Sequence, residues 1–118
     1  MHAEEELLIT RIWRGWTTRQ NAPVYQDLLL TEIFPGIEAR NVPGYRGISL
    51  VRRDIENEVE FMTIMWFDSL DAVRAFAGDH YETAVVPVKA RAVLSRFDRS
   101  PAHYDTVVAP PQFCGSAS

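Results

Sequence analysis

The sequence predicts an α+β domain of the ferredoxin-like type, ordered βαββαβ around a four-stranded antiparallel sheet. Three observations predict it. Segments rich in β-branched and aromatic residues recur at 7–16, 45–53, 59–67 and 103–109. Stretches with helical spacing lie between the first and second of these and between the third and fourth. The second and third are joined only by the short polar stretch DIENE at 54–58, which makes that pair a hairpin. Two right-handed crossovers then set the spatial order four, one, three, two, with the helices on one face.

The first strand reads LLITRIWRGW. Alternation places Leu8, Thr10, Ile12, Arg14 and Trp16 on one side and Ile9, Arg11, Trp13 and Gly15 on the other. Both sides carry apolar bulk and an arginine. Such a strand is expected to be covered twice, by helices on one face and by a second subunit on the other. The cap-rich stretch 17–21 and Pro23 start the first helix between Thr18 and Ala22. Its stripe is Tyr25, Leu28, Leu29, Glu32 and Ile33, with Pro35-Gly36 expected to kink or interrupt it. In the second strand Tyr45, Gly47, Ser49 and Val51 are expected to share a face.

The stretch 59–76, VEFMTIMWFDSLDAVRAF, is a buried strand running directly into a helix. Trp66 stands at the joint. Asp68 or Ser69 caps the helix, Leu70, Val73, Phe76 and Ala77 form its apolar side, and Gly78 stops it. A further helix starts near Pro87 and recurs through Ala90, Val93, Leu94 and Phe97. Pro110-Pro111 ends the last strand.

At 118 residues the chain is expected to hold one domain, 7–109, between a flexible leader at 1–6 and a flexible tail at 110–118. The net charge of −4 argues against nucleic-acid and anionic-membrane partners, which would favour a basic face. The single Cys114 cannot form an internal disulfide. An acidic start and the lack of any long apolar run predict a cytoplasmic protein. No dinucleotide-binding glycine loop, phosphate-binding loop or nucleophile elbow occurs. The third strand, EFMTIMWF, lacks the glycine–aromatic pattern of RNA-binding domains with this element order.

Pro43-Gly44-Tyr45-Arg46-Gly47-Ile48, entering the second strand, and the 61–66 strand ending in Trp66 before an acid-capped helix are family-type features. On these the chain resembles the antibiotic biosynthesis monooxygenase domain of the dimeric α/β-barrel superfamily, over about residues 8–108. The resemblance implies a homodimer closing a barrel, and a pocket between sheet and helices lined from strands one and three and the second helix. The family includes cofactor-independent oxygenases of aromatic polyketides, quinol oxygenases, haem-degrading enzymes and members without a known reaction. The haem-degrading branch uses an Asn on strand one and a Trp and a His on the second helix. Here Arg11 or Arg14 lies near the first position, Phe76 near the second, and Val85 and Val86 at the third. No cofactor is therefore expected.

The expected activity is cofactor-independent oxygenation of a flat aromatic or quinol-type molecule; the alternative is a non-catalytic binding protein of the same fold. Trp66, Phe76 and Trp16 are the candidate ring-stacking walls, each equally readable as packing. Arg14 is the candidate anion receptor, or a rim ion pair. Glu32, on an otherwise apolar stripe, and His80, in the bend after the helix, are the candidate catalytic bases. Glu32 also fits a structural ion pair; His103, at the start of the last strand, is a further candidate base and equally fits a surface or hydrogen-bonded residue. Neither histidine has metal-type spacing. Should Arg14, Glu32 and His80 all face solvent, the oxygenase reading loses its base and is to be dropped in favour of binding without reaction.

Overall fold

A computed structural model describes residues 8–84 and 86–110. The leader at 1–6, Leu7 at the expected start of the first strand, Val85 and the tail beyond 110 with Cys114 lie outside the described residues. The strands are β1 (Ile9–Thr18), β2 (Tyr45–Ile55), β3 (Glu58–Phe67), β4 (Arg96–Phe97) and β5 (Ala102–Asp105). The helices are α1 (Ala22–Leu28), α2 (Phe34–Ala39), α3 (Leu70–Ala77) and α4 (Val88–Val93), with a π-turn, Leu29–Ile33, between α1 and α2.

The sheet is antiparallel in the order β2-β3-β1-β4, and β5 also pairs with β1. The expected order thus holds, but the sheet has five strands. The fourth position is shared by β4, opposite Gly15 and Trp16, and β5, opposite Ile9 to Ile12. Pro101 lies between them and has no N–H to donate to a ladder. The last helix is correspondingly shorter than expected. Leu94 is already extended, and Ser95 N–H donates to the Trp16 carbonyl at 2.7 Å, drawing the chain into the sheet.

Pro35-Gly36 does not interrupt the first helical run. Pro35 lies in the first turn of α2, and the preceding turn is widened instead, with Phe34 N–H donating to the Leu29 carbonyl. A proline ring crowds the carbonyl four residues before it, and a π-turn makes room for it. At the start of β2 a bulge between Tyr45 and Gly47 opposes Tyr45 to Phe67. Tyr45 thereby joins the Ile48 side and leaves the Gly47 side expected for it.

Register assigns the two sheet faces. Ile9, Arg11, Trp13, Gly15 and Thr17 stand opposite Phe67, Met65, Thr63, Phe61 and Val59. Two apolar clusters cover this face. One joins Tyr25, Leu29, Val59, Phe61, Val86 and Ala90. The other joins Ile9, Met65, Phe67, Ala72 and Val73. Each large side chain so buried stabilises the fold by about 1.5–3 kcal/mol. The other face carries Ile12, Arg14, Trp16, Val51, Met62, Ile64 and Trp66. Among the described residues, no helix is long and apolar enough to cross a membrane.

Candidate functional site

Between the first sheet face and the helices lies an open cavity of about 120 Å³. The sheet contributes Arg11, Trp13, Ile48, Thr63 and Met65. The α1–α2 run contributes Tyr25, Leu29, Ile33, Phe34 and Ile37, and α3 contributes Phe76. Residues 84–90 close the remaining side with Ala84, Val86, Pro87 and Ala90. The π-turn sets the wall from the first helical run, because Leu29 and Ile33 belong to it. An apolar cavity of about 150 Å³ suffices to bind benzene; this one is somewhat smaller but open on one side, so a ring can extend beyond it.

The ring walls are held in place from behind. Trp13 donates its indole N–H to the Asp98 carbonyl at 2.7 Å and packs on Phe97 at 5.8 Å. Phe76 packs on the fully buried Phe67 at 5.5 Å. Tyr25 meets Phe61 edge-on at 4.9 Å, and burial pushes its hydroxyl up to about 12, keeping it neutral.

Among the described residues, Arg11 is the single charged one on the wall. It is 8% exposed, and burial lowers its pKa to about 10, which leaves it charged at neutral pH. Its Nη1 donates to the Tyr81 carbonyl at 3.0 Å and bonds His103 Nε2 at 2.9 Å. Its guanidinium carbon lies 5.5 Å from the centre of the Phe76 ring. A guanidinium only donates, so His103 Nε2 accepts and the imidazole is neutral with its proton on Nδ1. Burial first, and Arg11 second, lower the His103 pKa, while Glu82 opposes them. The Tyr81 ring meets the imidazole edge-on at 5.3 Å.

Of the six site residues expected from the sequence, only Phe76 lines the cavity. Trp66, Arg14 and Trp16 lie on the opposite sheet face, because they alternate with Met65, Arg11 and Trp13. Arg14 pairs with Asp98 there at 3.0 Å, which raises the arginine's pKa. Trp16 is buried beneath the guanidinium groups of Arg14 and Arg96, at 5.1 and 4.0 Å. Glu32 points outward and pairs with Lys89 Nζ at 2.9 Å, since the π-turn carries it off the inner stripe. His80 is exposed in the bend after α3. All three reach solvent and none lines the cavity, so the oxygenase reading that took its base from Arg14, Glu32 or His80 is dropped. The residues in their place are Arg11 and, behind it, His103. Among the described residues no group of three His, Cys, Asp or Glu could hold a metal ion.

A ferredoxin-like antiparallel sheet with helices and a cavity on one face defines an α+β class of proteins. No protein-family model matches the chain, and no curated protein matches it. Solved structures do. A Bacillus cereus protein provisionally described as an antibiotic biosynthesis monooxygenase is 13% identical, with a TM-score of 0.59 over 88% of this chain and 97% of that one. SnoaB, a cofactor-independent oxygenase from Streptomyces nogalater, is 23% identical, with a TM-score of 0.55 over 89% and 98%. The haem degrader MhuD from Mycobacterium tuberculosis, solved with two haems in its active site, is 17% identical, with a TM-score of 0.55 over 86% and 98%. The chain thus has the ferredoxin-like fold of the antibiotic-biosynthesis-monooxygenase type.

Proposed function

We propose that the protein is a cofactor-independent, monooxygenase-like enzyme that acts on one flat hydroxylated aromatic or quinol-type ring in this cavity. The observation that carries the reading is the cavity itself. It is close to the size of one ring, it is apolar, and it is walled by Trp13, Phe34 and Phe76. Flat rings bind such walls by edge and offset contacts, each worth about 0.5–1.5 kcal/mol beyond area burial. The fold shared with a cofactor-independent oxygenase supports the reaction type.

In that reaction the ring carbon para to a hydroxyl becomes a carbonyl. One oxygen atom of O₂ enters there. The other leaves as water with the ring C–H and phenol O–H hydrogens, so a phenol and O₂ give a quinone and water. O₂ is both oxygen donor and oxidant. Arg11 places a fixed positive charge on the cavity wall, which favours an anionic form of the bound molecule. The protein works as a homodimer, its second sheet face covered by the same face of a partner.

A second reading is binding without reaction. It is favoured by one observation: among the described residues no Asp, Glu or His side chain lines the cavity. Oxygen uptake with a panel of hydroxylated single rings, quinols, anthrones and haem separates the two. Uptake with a phenol or quinol is expected, one O₂ per quinone, reduced at least tenfold in Phe76→Ala. Binding of the rings without uptake selects the second reading. If no ring binds and the panel gives no uptake, both fall.

A further inference from the structure

Arg11 has more hydrogen-bonding capacity than the fold uses. Both hydrogens of Nη1 are committed, one to the Tyr81 carbonyl and one to His103 Nε2. Nε and Nη2 have no hydrogen-bond partner among the described residues. No carboxylate among the described residues forms an ion pair with this guanidinium, and burial is the one cause of its lowered pKa. A cation this buried is costly unless something neutralises it. The Nε–Nη2 edge carries two parallel N–H donors, the geometry that fits the two oxygens of a carboxylate.

Resting on the reading of the cavity as a ring site, we infer that its ligand is an aromatic carboxylic acid, bound as the monoanion with its carboxylate forked on the Nε–Nη2 edge of Arg11. The ring lies along Phe76 and Trp13, and the oxidisable hydroxyl is a further substituent. His103 is a positioning residue. By accepting from Nη1, the atom that also donates to the Tyr81 carbonyl, it fixes the guanidinium in place. An aromatic acid arrives already ionised, so a wall without an acidic or imidazole side chain is no obstacle to binding it.

Titration of the Trp13 fluorescence with a dihydroxybenzoic acid and with its methyl ester tests the inference. The two share the ring and differ in the charge. Wild type is expected to bind the acid at least tenfold more tightly than the ester. Arg11→Gln and Arg11→Lys should both erase that preference while leaving ester affinity within twofold. The lysine variant keeps the charge but not the fork, and circular dichroism with a thermal melt checks that both variants fold. Arg14→Gln, on the opposite face, should change neither affinity. Equal affinity for acid and ester in the wild type overturns the inference. So does an acid preference that survives in Arg11→Gln. Ester binding that is lost in Phe76→Ala would then leave the ring site standing, whereas failure of both compounds to bind would remove the ring site as well.

Discussion

His103 shows how one neutral side chain can govern a buried cation. Its Nε2 accepts from Arg11, and the groups facing it are that guanidinium from β1 and the Tyr81 ring and Glu82 from the bend after α3. Protonation would turn an acceptor into a second cation at 2.9 Å. Its folded pKa lies below the ordinary 6.5, so the unfolded chain binds more protons in the interval between the two. The stability that the neutral ring contributes is complete above pH 6.5 and is lost as pH falls through the lower folded value. Anion binding at Arg11 should weaken over the same interval. In His103→Gln, whose amide oxygen also accepts, both dependences should flatten, while His103→Leu should lose binding at all pH values. Melting temperature and acid affinity measured between pH 5 and 7.5 check this, and an unchanged pH profile in His103→Gln would refute it. This pair was only partly legible in the sequence. Alternation placed Arg11 and Arg14 on opposite faces, but it does not say which face the helices cover. The readable signal was Glu60, which shares a side with Trp66 and Met62 and marks that side as the one away from the helices. Phe76 was legible because helical spacing placed it on the apolar side of its helix. Glu32 misled because a 3.6-residue period does not hold through a π-turn.

The joint between β3 and α3 was the most legible element, and its details explain why. Phe67 and Val73 are fully buried on either side of a two-residue break, and Ser69 Oγ accepts from Ala72 N–H at 3.2 Å. Gly44 lies against the same turn with φ +83°, where its carbonyl accepts from Asp68 N–H at 2.8 Å. A Cβ there would stand 2.6 Å from the Ala72 Cβ. Ser69→Ala should cost about 1 kcal/mol, the usual worth of an N-cap. Gly44→Ala should cost more, about 1–3 kcal/mol from backbone conformation alone, with the clash added to it. Chemical denaturation of the two variants checks the ranking; a Gly44→Ala loss smaller than that of Ser69→Ala would contradict it. By contrast, the end of the chain was misjudged. Val93, Leu94 and Phe97 keep a helical period, yet Leu94 and Phe97 fit equally well as strand residues packing on the core beside β1. Periodicity cannot separate the two over so few residues, and the sheet edge, offering the Trp16 and Arg14 carbonyls, decides for strand.

At the scale of the whole molecule, the sheet has one face beneath helices and one built from Ile12, Trp16, Val51, Met62, Ile64 and Trp66. Val51 is among the large apolar residues left exposed, at 48%. The charges on this face are balanced locally: Arg14 with Asp98 at 3.0 Å, and Arg53 with the buried Glu60 at 3.0 Å. A sheet face without helices, with apolar residues such as Val51 in reach of solvent and its charges already paired, is suited to a copy of itself, since a two-fold axis opposes each patch to the same patch. Homodimerisation through this face is therefore the expected state in solution. Light scattering should return twice the mass of the 118-residue chain. Ile64→Asp puts an unpaired carboxylate in the centre of the face without touching either core cluster. It should yield a folded monomer whose cavity still binds the aromatic acid. A monomeric wild type, or a dimer unaffected by Ile64→Asp, would show that this face serves some other contact. If the monomer folds but loses the ligand, the partner subunit would be needed to hold the ring walls in place, because β1 and β3 each present alternate residues to the cavity and to the opposite sheet face.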